Sequence, residues 1–163
     1  VDALVRMIAA REVHRVYLAV VAGPWRQGEQ VEVDQTLGRD PRNRLRMAVL
    51  PAGSGAGKAA QTTVRVLDAN AQWALVGCKL HTGRTHQIRV HLAWLGHPLV
   101  GDAVYAGPQA LDMQRQALHA HRLGLVHPIT GAPLSLQCPL PPDMQKALDL
   151  AQLHYNSDKL WQV

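Results

Sequence analysis

The chain has 163 residues, 47% of them hydrophobic, and a formal net charge of +5, which is enough to bury one core without help from disulfides or metals. No run approaches the roughly 18 apolar residues of a membrane span, and the first residues lack the basic, apolar, small-residue order of a secretory signal. The two cysteines, Cys78 and Cys138, sit in apolar, strand-like surroundings, as thiols buried in a reducing compartment do, so a cytoplasmic protein without a disulfide framework is expected.

Asp2 is a candidate N-cap for a helix over residues 3–11, carried by Ala3, Leu4, Met7 and Ile8. The run from His14 to Ala22 (HRVYLAVVA) is rich in β-branched and aromatic residues and predicts a strand that ends at Gly23-Pro24. Further strands are predicted at Gln30–Val33, Arg44–Leu50, Gln61–Leu67 and Gln72–Leu80, the last two forming a hairpin through Asp68-Ala69-Asn70-Ala71. From His86 the period changes. Ile88, Leu92 and Leu95 lie at i, i+4 and i+7, predicting a helix with Thr85 as its N-cap and Gly96 at its end. Strands return at His119–Val126 and Leu134–Cys138, and Asp143 opens a last helix with Met144, Leu148 and Leu150 as its apolar positions. The whole reads as an α+β domain over residues 1–163, a mostly antiparallel mixed sheet with flanking helices.

The positive charge is not spread evenly. Residues 1–40 and 102–163 each carry a net charge of −1, whereas between Pro41 and Gly101 Asp68 is the one acid against eight Lys and Arg, a net charge of +7. Clustered cations of this kind are the footprint of a protein that binds a polyanion, most often nucleic acid.

Three tempting chemistries fail on their spacing. PAGSGAGKAA at 51–60 has Gly57-Lys58 but Ala59 where a phosphate loop needs a hydroxyl, and Ala52 where it needs its first glycine. His81, His86 and His91 are spaced by five, which sends successive side chains about 140° apart on a helix and to opposite faces of a strand. His119 and His121 share a strand face but have no acid or cysteine close by in sequence to complete a tetrahedral metal site. Ser54, Ser135 and Ser157 lie in no nucleophile-elbow pattern.

What remains is HTGRTHQIRVHLAWLGHPLVGD (81–102), rich in donors and without an acid until its last residue. Thr82-Gly83 allows a tight turn from which Arg84 projects, and a helix start there offers backbone N–H groups to an anion. His86 and Arg89 share one helix face, and Arg89 is placed to meet a carboxylate or phosphate for which the neighbouring sequence offers no partner.

This stretch resembles the signature segment of the RluA family of RNA pseudouridine synthases. The likeness continues in REVHRVYLAVVAG (11–23), LGRDPRNRLRMAV (37–49), GKAAQTTVRVL (57–67) and RQALHAHRLGLVHPITGAPLSLQCPLPPDM (115–144), several stretches in the family's order. The resemblance implies a pseudouridine synthase catalytic fold that isomerises uridine to pseudouridine in RNA, here in the branch acting on 23S RNA of the large ribosomal subunit, without metal or organic cofactor. It implies that Tyr17 stacks on the flipped base and takes the C5 proton, that Arg89 pairs with a catalytic aspartate, and that Leu118 forms the apolar wall of the pocket. Arg84, Thr85, His86, Arg39, Arg42, Arg44, Arg46 and Lys58 are the expected RNA-binding residues.

One element of the family pattern is absent. Its nucleophile sits in an H-R-L-D-x-x-T-S-G motif upstream of the opening helix, and no such motif occurs; His121-Arg122-Leu123 is followed by Gly124. With Val1 in place of a Met and a helical pattern from the outset, the expectation is the C-terminal portion of a catalytic domain, inactive by itself, with Arg89's carboxylate supplied from outside the chain. The alternative is a basic RNA-binding module without chemistry. A missing first part would leave sheet edges unpaired.

Overall fold

The computed structural model describes Arg6 and residues 13–161, so all but Arg6 of the helix expected over residues 3–11 lies outside the described residues. At the centre is β1 (His14–Ala22), antiparallel to β6 (Trp73–Leu80) on one side and to β7 (Leu118–Val126) on the other. With β2 (Gln30–Asp34), β5 (Gln61–Ala69) and β8 (Pro133–Gln137) these strands form a six-stranded sheet in the order β2-β5-β6-β1-β7-β8. Every pairing among the described residues is antiparallel. β3 (Leu37–Asp40) and β4 (Asn43–Val49) form a separate two-stranded hairpin.

The continuous apolar run of β1 follows from its position, because it is covered on both faces. Val16, Leu18 and Val20 enter a core with Met144, Ala147 and Leu148 of helix α2 (Pro142–Ala151), while Ala19 and Val21, with Tyr17 against them, enter a second core with Ile88 and Leu92 of helix α1 (Gln87–Trp94). A strand buried on one face would alternate; this one cannot. Leu18 is 0% exposed, so truncation to Ala costs about 2–5 kcal/mol.

The strand and hairpin readings hold. Asn70 makes the β5–β6 turn, its Oδ1 accepting from the backbone N–H groups of Gln72 and Trp73, both at 3.0 Å. β3 is not legible in the sequence: it is four residues long and half polar, and it is held by reciprocal backbone hydrogen bonds between Leu37 and Lys58.

Two expectations are corrected. Leu150 is 53% exposed; the inward stripe of α2 is Met144, Ala147, Leu148 and Ala151, at i, i+3, i+4 and i+7, and Leu150 points about 160° away from Leu148. Cys78 is buried but Cys138 is exposed, because it follows β8, an uncovered edge strand whose Leu134 and Leu136 are themselves 40% and 58% exposed. Among the described residues no helix is long and apolar enough to cross a membrane.

Candidate functional site

The 81–102 stretch leaves β6 and turns directly into α1, but Thr85 does not cap that helix. The N-cap is His86, in the left-handed region at φ 55, with no side-chain cap hydrogen bond. The turn that leads into the helix is tied from inside by Gln87, which is 3% exposed. Its Oε1 accepts from the Arg84 backbone N–H at 3.0 Å and from Thr82 Oγ1 at 2.7 Å. Its Nε2 donates to the Gln61 carbonyl at 2.9 Å and to Thr62 Oγ1 at 2.8 Å. The amide is fully used, and it joins the turn to β5.

The chain of hydrogen bonds continues inward. Thr62 Oγ1 lies 2.8 Å from His91 Nδ1, and His91 Nε2 lies 3.0 Å from the Gln35 carbonyl. A consistent set of donors places the proton of a neutral His91 on Nε2, with the Thr62 hydroxyl donating to Nδ1. Burial, the largest influence on this group, pushes its pKa below the usual histidine value. The other two histidines of the series go elsewhere, His81 Nε2 to Thr63 Oγ1 at 2.7 Å and His86 Nδ1 to Tyr105 Oη at 2.7 Å.

Arg89 has its acid within the chain, which corrects the expectation of an outside carboxylate. It grips Asp102 with two parallel bonds, Nε to Oδ2 at 2.8 Å and Nη2 to Oδ1 at 2.9 Å, and the Asp102 side chain is 1% exposed. Its guanidinium also lies 5.0 Å from the centre of the Tyr105 ring, within cation–π range. The hydrogen bonds to Asp102 push the pKa of Arg89 up. Tyr105 Oη accepts from the Met47 backbone N–H at 2.9 Å. His86 is not on the helix with Arg89 as expected, since it precedes α1 in the left-handed region, yet both side chains meet Tyr105. Together with Asp102 they tie α1 to the 3-10 turn Ala103–Tyr105 and to β4. The acid is the last residue of the signature stretch, 13 positions from Arg89, and only a loop folding back brings it there.

Apart from His86, which bonds Tyr105, the expected RNA-binding residues separate into three groups. Arg39, Lys58, Arg84 and Thr85 line one cleft of about 480 Å³ between the β3–β4 hairpin, the glycine-rich loop and the signature turn. Arg42 and Arg44 are exposed toward the turn of the hairpin. Arg46 belongs to neither group: its Nε donates to Asp40 Oδ2 at 2.7 Å, and the Asp40 carboxyl is held below the usual range chiefly by the Arg42 backbone N–H and the Arg46 side chain.

Tyr17 lies elsewhere, in an apolar cavity of about 310 Å³ with Ala120, Leu123, Leu136 and Cys138 among its walls and Arg15 at its side. Leu118 packs against the same core as Tyr17 but is not a wall of this cavity; Leu123 and Leu136 take that place. His121, beside a register shift between Val16 and Tyr17, also lines this cavity and bonds the Cys138 carbonyl and Tyr155 Oη at 2.7 and 2.8 Å. His119 reaches the same carbonyl at 3.0 Å.

The family model described as RNA pseudouridylate synthase matches residues 1–94, more than half of the chain. The chain belongs to that family. An RNA pseudouridine synthase of Chloroflexus aurantiacus is 48% identical over 147 residues, covering 89% of this chain and 44% of the relative. Ribosomal large subunit pseudouridine synthase D of Neisseria meningitidis serogroup B is 40% identical over 168 residues, 96% of this chain and 44% of its own length. The chain thus spans less than half the length of these relatives. Among solved structures, the human protein RNA Pseudouridylate Synthase Domain Containing 1 superposes with a TM-score of 0.73 at 29% identity, covering 90% of this chain and 63% of the other.

Proposed function

We propose that the chain is the C-terminal portion of the catalytic domain of a pseudouridine synthase acting on 23S RNA of the large ribosomal subunit. The observation that supports this best is a half-buried aromatic residue, Tyr17, lining an apolar cavity, with a cation-lined cleft close by. An apolar pocket with a stacking ring suits a base taken out of its helix, and exposed Arg and Lys suit the backbone it came from. Relatives named for the large ribosomal subunit support the choice of RNA.

In this reading the N1–C1′ bond of uridine breaks, a C5–C1′ bond forms, C5 loses a proton and N1 gains one, so no oxidant, metal or co-reactant is consumed. Tyr17 stacks on the base and takes the C5 proton. Arg39, Arg42, Arg44, Lys58 and Arg84 hold phosphates. Arg89 acts as a positioning residue, since its fork is filled by Asp102. The nucleophilic aspartate is carried by a part of the protein outside these 163 residues, because the family's H-R-L-D motif does not occur among them.

Tritium release from 5-tritiated 23S RNA tests this. The 163-residue chain alone should release none, and a longer polypeptide that includes an upstream H-R-L-D motif should release it in a Tyr17-dependent manner. Turnover by the chain alone would refute the assignment of the nucleophile. A longer gene product that lacks the motif but binds RNA would favour the non-catalytic RNA-binding module.

A further inference from the structure

Among the described residues the half-buried arginines follow one rule, with one exception. Arg46, Arg65, Arg84, Arg89 and Arg122 each donate to an acceptor. Arg15 makes no hydrogen bond or ion pair among the described residues, and its Nε–H is shielded from solvent with nothing to accept it. A buried donor on a charged group is normally paired, and an orphan asks for the partner it is built to meet.

Its position narrows that partner. Arg15 and Tyr17 are two apart on β1, so they project from the same face, and both line the apolar cavity. The other polar side chains at the cavity are already committed: Arg122 to Gln137 and the Trp161 carbonyl, His121 to Tyr155 and the Cys138 carbonyl. On its other side the guanidinium rests against Gly83, where a built Cβ would come within 2.7 Å of Nη1. Gly83 is also a wall of the cleft that holds Arg39, Lys58 and Arg84. Arg15 is therefore the point where the cationic cleft reaches the cavity of Tyr17.

We infer that Arg15 binds a phosphate of the nucleotide whose base lies against Tyr17, so that the fork and the ring read one nucleotide together. A guanidinium is suited to this task, because its planar donors match phosphate oxygens in pairs and its charge does not titrate. The glycine at position 83 is then explained by the arginine: it leaves room for the guanidinium to lie along the turn. The inference rests on the reading of the ligand as a nucleotide.

The test compares uridine 5′- and 3′-monophosphates with uridine, and the adenosine series with both, in titrations followed by the backbone N–H resonance of Tyr17, which every variant retains. At least one uridine monophosphate should bind about tenfold more tightly than uridine. Arg15→Gln should bring the two to parity while keeping the affinity for uridine, and Arg15→Lys should restore part of the gap. Gly83→Ala should reproduce the Arg15→Gln result by displacing the guanidinium, and the double variant should be no worse. A phosphate preference that persists in Arg15→Gln, or none in the parent, as when a carboxylate already fills the fork or nothing binds at all, overturns the inference. A phosphate effect through Arg15 without preference for uracil over adenine would instead support Arg15 and count against the pseudouridine synthase reading.

Discussion

The Arg89 cluster and the cationic cleft lie at opposite ends of the same signature stretch and follow opposite rules. Around Arg89 the charges are dry and matched: guanidinium, carboxylate, phenol and imidazole each have partners inside the protein. In the cleft, Arg39 and Lys58 are exposed, and no carboxylate lies among its lining residues. A matched buried pair directs its field into the fold, whereas an unmatched exposed cation leaves its field available to a polyanion. Adjacent residues of one motif therefore serve stability and binding separately.

The largest expected effect breaks the buried side of that comparison. Arg89→Ala leaves the Asp102 carboxylate buried without its cation and should lower stability by about 3–5 kcal/mol, read from urea unfolding. The Arg89→Met, Asp102→Leu double variant should recover a good part of that loss. A drop below about 1 kcal/mol in the single variant would show that the cluster does not hold the fold.

On the cleft side, replacing Arg39, Arg42, Arg44 and Lys58 by Gln should leave stability within about 0.5 kcal/mol. RNA affinity should fall by an order of magnitude or more, and the salt slope should flatten by about 0.7–0.9 for each phosphate that is no longer neutralised. Filter binding across a series of salt concentrations reads both. Equal losses of stability and binding from this variant would erase the distinction between the two regions.

Acid should act on the matched networks. Burial lowers the pKa of His86, His91 and His121 in the fold, so below the ordinary histidine value of about 6.5 the unfolded chain takes up protons that the fold does not. Stability is complete above that pH and is lost as pH falls from it toward the folded values. The urea midpoint should drop as the pH is lowered below about 6.5, and His91→Gln should make that dependence shallower; a flat profile would mean that the three imidazoles charge without cost. The smallest effect is expected from Thr85→Ala, under about 0.5 kcal/mol by urea unfolding, since the Thr85 side chain caps nothing. A loss near 1 kcal/mol would restore it as the cap.

Much of this site is legible in the sequence where the signal is local. Tyr17 lies on a run of β-branched residues and Arg89 within a helical apolar period, so the element that carries each is legible in the sequence, whereas His86 precedes the helix and reaches Tyr105 from a left-handed residue. The preference for Thr at a cap is local too, and it points to the wrong residue: the N-cap is His86, and the turn is held by Gln87 through a strand that the sequence does not place beside it. Arg15 carries no signal in the sequence, since an orphan is defined by what surrounds it. Cys138 differs from expectation for a related reason: its apolar neighbours mark a strand, but not whether that strand is covered.

Residue type and spacing along the chain are sufficient for the order of the elements other than β3, the apolar character of HRVYLAVVA and the segregation of charge into residues 41–101, and the resemblance of several stretches is sufficient for the family. They are not sufficient for which acid meets Arg89, which amide closes the turn at Thr82-Gly83, or why Arg15 is left without an acceptor. Those pairings depend on distance through space, and loops such as 95–102 bring together residues whose separation along the chain says nothing about how near they lie when folded.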